Sequence, residues 1–383
     1  MRWISILSIF LCIFCCSGFC YGDFSDIDKL PAPSLVSASS ASSAYVYEVN
    51  SGRVFLEKNA TVERAMASTT KIATAITAIE NCEDLDSKFA IDNRAVGIEG
   101  SSIYLRANET MSMRDLLYGL MLRSGNDCAC VIAYHISGSI DEFAALMNGL
   151  VDKLQLKHTH FTNPHGLDAQ SHYTSAQDLA LITGYALSNP VFSEIVSTKN
   201  IKISDDSGEV RYMANKNRLL NSLEGCIGVK TGYTTRAGRC LVSAVERDGL
   251  KLVAVVLNCG PMFEESSAIL NEICSKYKMT EVLSPWQYID DIPLLNGETD
   301  FVQAFSKKGF YLPLSEEECG LVSLEVDIPP RLIAPIANET EIGEVKIYYE
   351  KHLIFSEKIY TLREVDSKLI KDKVKQILDH WGT

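Results

Sequence analysis

Three short motifs stand in order along the 383-residue chain: Ser68-Thr69-Thr70-Lys71, Ser124-Gly125-Asn126 and Lys230-Thr231-Gly232. They begin 56 and 106 residues apart (124 − 68 and 230 − 124), so each belongs to a separate element. A fold that uses them together must bring three distant segments to one point. Each alone is weak, since Ser-x-x-Lys recurs at Ser275-Lys276-Tyr277-Lys278 with nothing catalytic around it. Ser-x-Asn and Lys-Thr-Gly occur once each. In this order they describe one active site, in which a serine is acylated by an amide and served by two lysines.

The chemistry explains the residue types. Ser68 and Lys71 lie three apart at an expected helix start and so share a face. A serine hydroxyl attacks poorly until a base takes its proton. Lys71 can be that base only if its pKa falls, and burial, the positive helix N-terminus and a second cation, Lys230, all push that way. Ser124 suits a proton relay toward the leaving amine. Asn126 offers an amide donor and acceptor for a peptide backbone. Lys230-Thr231-Gly232 on an edge strand can pair with an extended substrate as an added strand, and Gly232 leaves room for that approach. The backbone N–H groups of Ser68 and Tyr233 are candidates for an oxyanion hole.

A net charge of −13 supplies no basic stripe, which argues against nucleic acid as a partner. The N-terminus reads as an export signal: Arg2 precedes an apolar stretch from Trp3 to Phe14, and Cys20-Tyr21-Gly22 places small residues for cleavage after Gly22. An uncleaved anchor is the alternative. Four of the twelve cysteines fall in this signal, and the other eight show no Cys-x-x-Cys pair and no zinc spacing. They are either disulfide partners in an exported protein or small buried hydrophobes. His158, His160, His165 and His172 cluster in a polar stretch, yet the chemistry needs no metal and no cofactor. Asn59, Asn108 and Asn338 head Asn-x-Thr triplets whose match to a glycosylation pattern is read as coincidence.

A Ser/Ala/Pro-rich tether over 23–43 leads into strands at Ala44–Val49 and Arg53–Glu57. Helices are expected from Ser68, from Ser112 to about Arg123, from Asp127, and over Ile140–Leu154 and Ala176–Leu187. Cys240–Glu246 and Lys251–Asn258 form a hairpin about Arg247-Asp248-Gly249, and Leu270–Tyr277 is a closing helix. A catalytic domain over 44–280 is followed by a small β domain over 281–362 and an amphipathic helix over 363–383. That helix carries Val365, Leu369, Val374, Ile377, Leu378 and Trp381 in a stripe, and either lies on a membrane surface or packs on the β domain.

The chain resembles the low-molecular-mass penicillin-binding proteins, the serine-type D-alanyl-D-alanine carboxypeptidases. The resemblance rests on Ala67–Ile72, Leu122–Asp127, Phe161-Thr-Asn-Pro-His-Gly-Leu167 with His172-Tyr173, Asp178–Ala180, and Lys230–Thr234 with Ala237-Gly238. It implies an α+β fold, a transpeptidase-type domain like that of penicillin-binding proteins and β-lactamases. An antiparallel sheet flanked by helices is followed by a small β-rich domain. It also implies removal of the terminal D-alanine from the peptidoglycan stem peptide outside the cytoplasmic membrane, through an acyl-enzyme on Ser68 that penicillin also forms. The family holds the substrate carboxylate with a cation on the strand after Lys-Thr-Gly; by position this is Lys251, with Thr231 sharing the task. Cys128 and Cys130 stand where the family has small alanines. A β-lactamase, a D,D-endopeptidase and a penicillin-binding sensor without turnover share these residues, although no glutamate motif for rapid deacylation lies between Asn126 and Lys230.

Overall fold

The computed structural model describes residues 2–4, 30–33, 35, 39–206, 208–368 and 370–381. Apart from Arg2–Ile4, the expected export signal lies outside these residues, as does the first part of the tether. The chain divides into two compact units. One comprises Pro31–Val49 and Val54–Lys276; the other runs from Tyr277 to the C-terminus and also takes in Asn50–Arg53 and the N-terminal residues through Leu30. The division at 276/277 falls four residues before the expected domain boundary.

The first unit is an antiparallel sheet with helices on both faces. Its strands are β2 (Ser43–Glu48), β3 (Val54–Lys58), β8 (Cys226–Thr234), β9 (Gly238–Arg247) and β10 (Leu250–Leu257), in the order β3-β2-β10-β9-β8. β8 is therefore an edge. Every residue of β10 from Leu252 to Leu257 is buried, because α5 (Ala176–Leu187) packs against β10 and β2 while α8 (Met262–Lys276) packs against β9 and β10. The β9–β10 hairpin turns at Asp248 and Gly249, both with positive φ (48° and 82°), which matches the strand twist. Two short ribbons lie outside the sheet, β4 (Lys88–Ala90) with β5 (Thr110–Ser112) and β6 (Asn200–Ser204) with β7 (Val210–Ala214).

The helical layer contains α1 (Lys71–Glu80), α2 (Met113–Tyr118), α3 (Asn126–Ser137), α4 (Ile140–Lys153), α5, α6 (Pro190–Ser197) and the short α7 (Leu219–Ser222). Ser112 caps α2 as its spacing predicts, its Oγ accepting from Asp115 N at 3.1 Å. α2 continues through a π-helical turn at Gly119–Arg123 and stops at Ser124, whose φ of 66° is left-handed. The closing helix starts at Met262, eight residues before the expected Leu270. Ser266 and Ser267 dilute the apolar stripe there, and the helix buries Met262, Ser266, Ile269, Leu270 and Ile273. α6 carried no expectation; it begins with Pro190 at its first position, and Asn189 Oδ1 caps Val191 N and Phe192 N.

The second unit contains a seven-stranded sheet ordered β1-β15-β17-β18-β13-β12-β16. Its strands are β1 (Arg2–Ile4), β12 (Tyr288–Leu295), β13 (Phe301–Ser306), β15 (Val322–Asp327), β16 (Leu332–Ile333), β17 (Glu341–Tyr349) and β18 (His352–Thr361). β11 (Lys278–Leu283) pairs separately with β14 (Phe310–Leu314). Its own core gathers Ile292, Val302, Leu312, Val345, Ile347 and Ile359. The C-terminal helix α9 spans Ile370–Trp381, so it begins seven residues after the expected Arg363. Val365 is instead buried and bridges to Ile336, and Ser367 bridges to Gly297. These main-chain pairings take up the backbone groups that a helix would need.

Candidate active site

Ser68 lies in a 3₁₀ turn, Ala67–Thr70, that runs directly into α1. Two hydroxyls tie the turn to itself, Thr69 Oγ1 donating to Met66 O at 2.6 Å and Thr70 Oγ1 to Ala67 O at 2.9 Å. Ser68 is partly exposed, whereas Lys71 is fully buried. Lys71 Nζ donates to Ser68 Oγ at 3.1 Å, to Asn126 Oδ1 at 2.7 Å and to the carbonyl of His165. Burial draws its pKa down to about 7, and the Lys216 cation adds to the effect.

The second motif approaches through the break between α2 and α3. Ser124 is buried, and its Oγ has no hydrogen-bond partner among the described residues. A buried hydroxyl left unpaired costs roughly 1–3 kcal/mol, which suits a group whose partner arrives with the substrate. Asn126 is held at both ends of its amide, because Nδ2 donates to Glu99 O at 2.6 Å.

The third motif lies on the edge strand β8. Lys230 is buried and donates to Thr231 O at 3.0 Å. Its pKa is held well below the ordinary value by burial first and then by the cations of Lys71 and Lys216. Gly232 faces the nucleophile turn: a Cβ built on it would lie 3.1 Å from Ser68 N and 3.1 Å from Met66 O. The N–H of Ser68 and the free edge of β8 are thus neighbours, and the exposed Tyr233 follows. The three motifs therefore supply a partly exposed hydroxyl, two buried amines, a buried hydroxyl without a partner among the described residues, and the edge of a sheet. That set can open an amide of an extended peptide through an ester on serine.

Lys251 stands elsewhere. Register pairs Lys230 with Val242 and Val242 with Val255, so Lys251 is four residues further along β10, about 13 Å at 3.3 Å per residue. There it pairs with Glu246 at 3.2 Å. The expected role as carboxylate anchor does not fit this position, since distance along the strand is set by the hairpin turn and not by sequence count. Arg239 lies opposite Tyr233 instead.

Sequence reasoning assigned no role to three contributors. Lys216 donates to Ser101 Oγ at 3.1 Å and acts electrostatically on both motif lysines; no motif marks it. The segment Phe161–Leu167 supplies the His165 carbonyl, and Thr74 Oγ1 donates to Pro164 O at 2.7 Å. Gly166 there has φ +84°, and a Cβ would come 2.0 Å from Ala67 O, so this segment packs directly on the nucleophile turn. His172 is the third. Its Nδ1 accepts from Thr162 N at 3.1 Å, which places its proton on Nε2 and toward Thr70 Oγ1 at 2.8 Å. His172 thus supports the turn. The eight described cysteines are all free, with Cys128, Cys130, Cys240 and Cys259 buried.

Comparison with known proteins agrees with this geometry. Residues 31–260 match the D-alanyl-D-alanine carboxypeptidase family, and residues 277–367 match the C-terminal domain of penicillin-binding protein 5. The chain is similar to DacA of Escherichia coli, 31% identical over 363 residues, 89% of this chain and 88% of that protein. It is also similar to DacF of Bacillus subtilis, 26% identical over 384 residues, 98% of this chain and 97% of that protein. Penicillin-binding protein 5 from Haemophilus influenzae shares the fold, with a TM-score of 0.73 over 88% of this chain and 100% of that one at 24% identity. The family match covers more than half of the sequence and includes all three motifs; the chain belongs to the serine-type D-alanyl-D-alanine carboxypeptidases.

Proposed function

We propose that Ser68 is the nucleophile of this carboxypeptidase and Lys71 its general base, with Ser124 and Lys230 completing the proton path. The observation that carries the assignment is Lys71: fully buried, 3.1 Å from Ser68 Oγ, and poised to lose its proton near neutrality. Ser68 Oγ attacks the carbonyl carbon of the penultimate D-alanine while its proton passes to Lys71 Nζ. The carbonyl electron pair moves to oxygen, facing the N–H groups of Ser68 and Tyr233. Collapse restores the carbonyl and breaks the C–N bond, and the leaving nitrogen takes a proton through Ser124. D-alanine departs. Water then hydrolyses the ester with the same base. Asn126, Thr231 and Gly232 hold the stem peptide against the β8 edge. Penicillin passes through the same attack and C–N cleavage, its ring nitrogen taking the proton while staying part of the molecule, and it remains on Ser68 as the ester.

The protein works outside the cytoplasmic membrane, where peptidoglycan is found, and the N-terminal export signal supports this placement. α9 rests on the membrane surface; its Val374, Ile377, Leu378 and Trp381 are exposed.

The test uses the chain without residues 1–22 and its Ser68→Ala variant. D-alanine release from diacetyl-Lys-D-Ala-D-Ala and long-lived labelling by penicillin are expected of the first and absent from the second. Labelling that survives in Ser68→Ala would move the nucleophile elsewhere.

A further inference from the structure

Asp127 follows the Ser-Gly-Asn motif and takes no part in the steps above. Its carboxylate is buried, and its oxygens are saturated by donors: Ser102 Oγ at 2.5 Å, Ile103 N at 3.1 Å, Leu105 N at 3.2 Å and Cys128 N at 2.9 Å. A buried carboxylate persists when its lone pairs are filled in this way. Only Cys128 belongs to α3, so Asp127 does more than cap its own helix. The other three donors come from one segment, which Asp127 folds across the start of α3.

Arg211 grips the same segment from β7. Its Nε donates to Ile103 O at 3.0 Å and its Nη2 to Tyr104 O at 3.3 Å, while a two-pronged pair with the buried Glu109 fixes the guanidinium, Nη2 to Oε2 at 2.9 Å. Directly before this doubly anchored stretch, residues 99–101 turn two carbonyls onto Asn126. Glu99 O accepts from Nδ2 at 2.6 Å, and Ser101 O accepts from the backbone N at 2.6 Å. Gly100 between them has φ +95°, and a Cβ there would lie 2.6 Å from Asn126 Nδ2.

The two ends of an amide side chain are nearly the same shape, so the partner at one end decides what the other presents. A carbonyl can only accept. Glu99 O therefore takes the NH₂ group and leaves Oδ1 facing Lys71 Nζ at 2.7 Å. We propose that Asp127 is a positioning residue: through the 99–105 segment it sets the orientation of the Asn126 amide, which seats Lys71 against Ser68. The inference rests on Lys71 serving as the base of Ser68.

In Asp127→Asn one oxygen becomes an NH₂ group that meets either the N–H groups of Ile103 and Leu105 or that of Cys128, donor against donor, and the hold on the segment is weakened. Gly100→Ala strikes the Asn126 amide directly and leaves every charge in place. Ser102→Ala removes one donor and keeps the backbone pair. The groups around Lys71 are Asp127, Cys128 and Cys130 from α3, Lys216 from the turn before α7, Lys230 from β8, and His165 and His172 from the neighbouring loop.

The measurement is the second-order rate of penicillin acylation against pH, per folded molecule, with melting temperature read alongside. Asp127→Asn and Gly100→Ala are expected to acylate roughly 10–100-fold more slowly, the equivalent of one misplaced buried hydrogen bond. Their acid limb is expected to move to lower pH, because the Lys71 ammonium loses its Oδ1 acceptor; Ser102→Ala shows a smaller loss of rate. A wild-type limb and rate in folded Gly100→Ala would overturn the proposal, as would losses in Asp127→Asn that track only the unfolded fraction. Labelling of Ser68→Ala as fast as wild type would instead overturn the underlying assignment of the nucleophile.

Discussion

Lys71 shows how one residue is given an uncommon property by its surroundings. Its amine has three acceptors around it, which favour the charged form, yet complete burial outweighs them and draws the pKa down to about 7. Only the neutral amine can accept the Ser68 proton. The reactive fraction therefore grows as pH rises through about 7, and acylation by penicillin is expected to climb to a plateau with half its height near that pH. Lys71→Arg keeps its proton throughout this range, so its rate is expected to be lower by roughly 10²–10⁴; a stopped-flow pH series on both proteins checks this. An acylation rate independent of pH from 5 to 9 would remove Lys71 as the base. The motifs holding Ser68, Lys71, Ser124, Asn126 and Lys230 could be read from the sequence because the chemistry fixes local spacings, and Lys71 does bond both Ser68 and Asn126. Asp127 and Lys216 could not be, since each works through a contact across more than 20 residues of chain, to Ser102 and Ser101. Lys251 was misplaced for the converse reason: its place on a strand after the motif said nothing about which end of β10 it occupies.

At the scale of elements, the loop carrying His165 and His172 buttresses the nucleophile turn with neutral imidazoles. Burial lowers His172 to about 3 and His165 to about 4, with the Lys71 cation adding to both. The unfolded chain binds protons at these sites below about 6.5 while the folded one does not, so stability falls as pH drops through the window from 6.5 toward 3. Each histidine is expected to withdraw about 2 kcal/mol between pH 6.5 and 5, a log-unit costing about 1.36 kcal/mol. Urea midpoints at pH 7 and pH 5 read this directly, and His172→Gln, which retains a donor toward Thr70, should show a smaller acid loss than the wild type. Equal losses in both would place the acid-sensitive group elsewhere. Elements with a clean period were readable: α5 spans its expected residues, and β9 and β10 differ from expectation by one or two residues at most ends. α8 was shortened because Ser266 is buried where an apolar side chain is the usual signal. α9 was lengthened because Val365 fits a helical stripe while its main chain is engaged in a bridge to Ile336.

For the molecule as a whole, the open matter is how an enzyme of net charge −13 stays near its polymeric substrate. No single helix among the described residues is long and apolar enough to cross a membrane. α9 is twelve residues long, about 18 Å at 1.5 Å per residue, which suits a helix lying in the interface and not one spanning it. Its Trp381 is 87% exposed and Leu378 64%, an arrangement that costs free energy in water and is relieved in the headgroup region, where the indole N–H stays wet. The chain leading into it is fixed, since Glu298 N donates to Asp366 O at 3.0 Å and Lys368 N to Asn296 O at 2.8 Å. A truncation after Lys368 therefore removes the helix and leaves those pairings in place. Protein lacking residues 1–22 is expected to sediment with phosphatidylglycerol-containing vesicles, and the same protein truncated after Lys368 to stay in the supernatant with unchanged kcat on the soluble tripeptide. Trp381→Ala should weaken vesicle binding by itself. The acidic surface sharpens the test: repulsion from anionic lipid makes apolar insertion the main attraction, so raising the salt should strengthen sedimentation. Binding that disappears with salt would point to electrostatic contact elsewhere on the protein, and truncated protein that still sediments would leave α9 without this role.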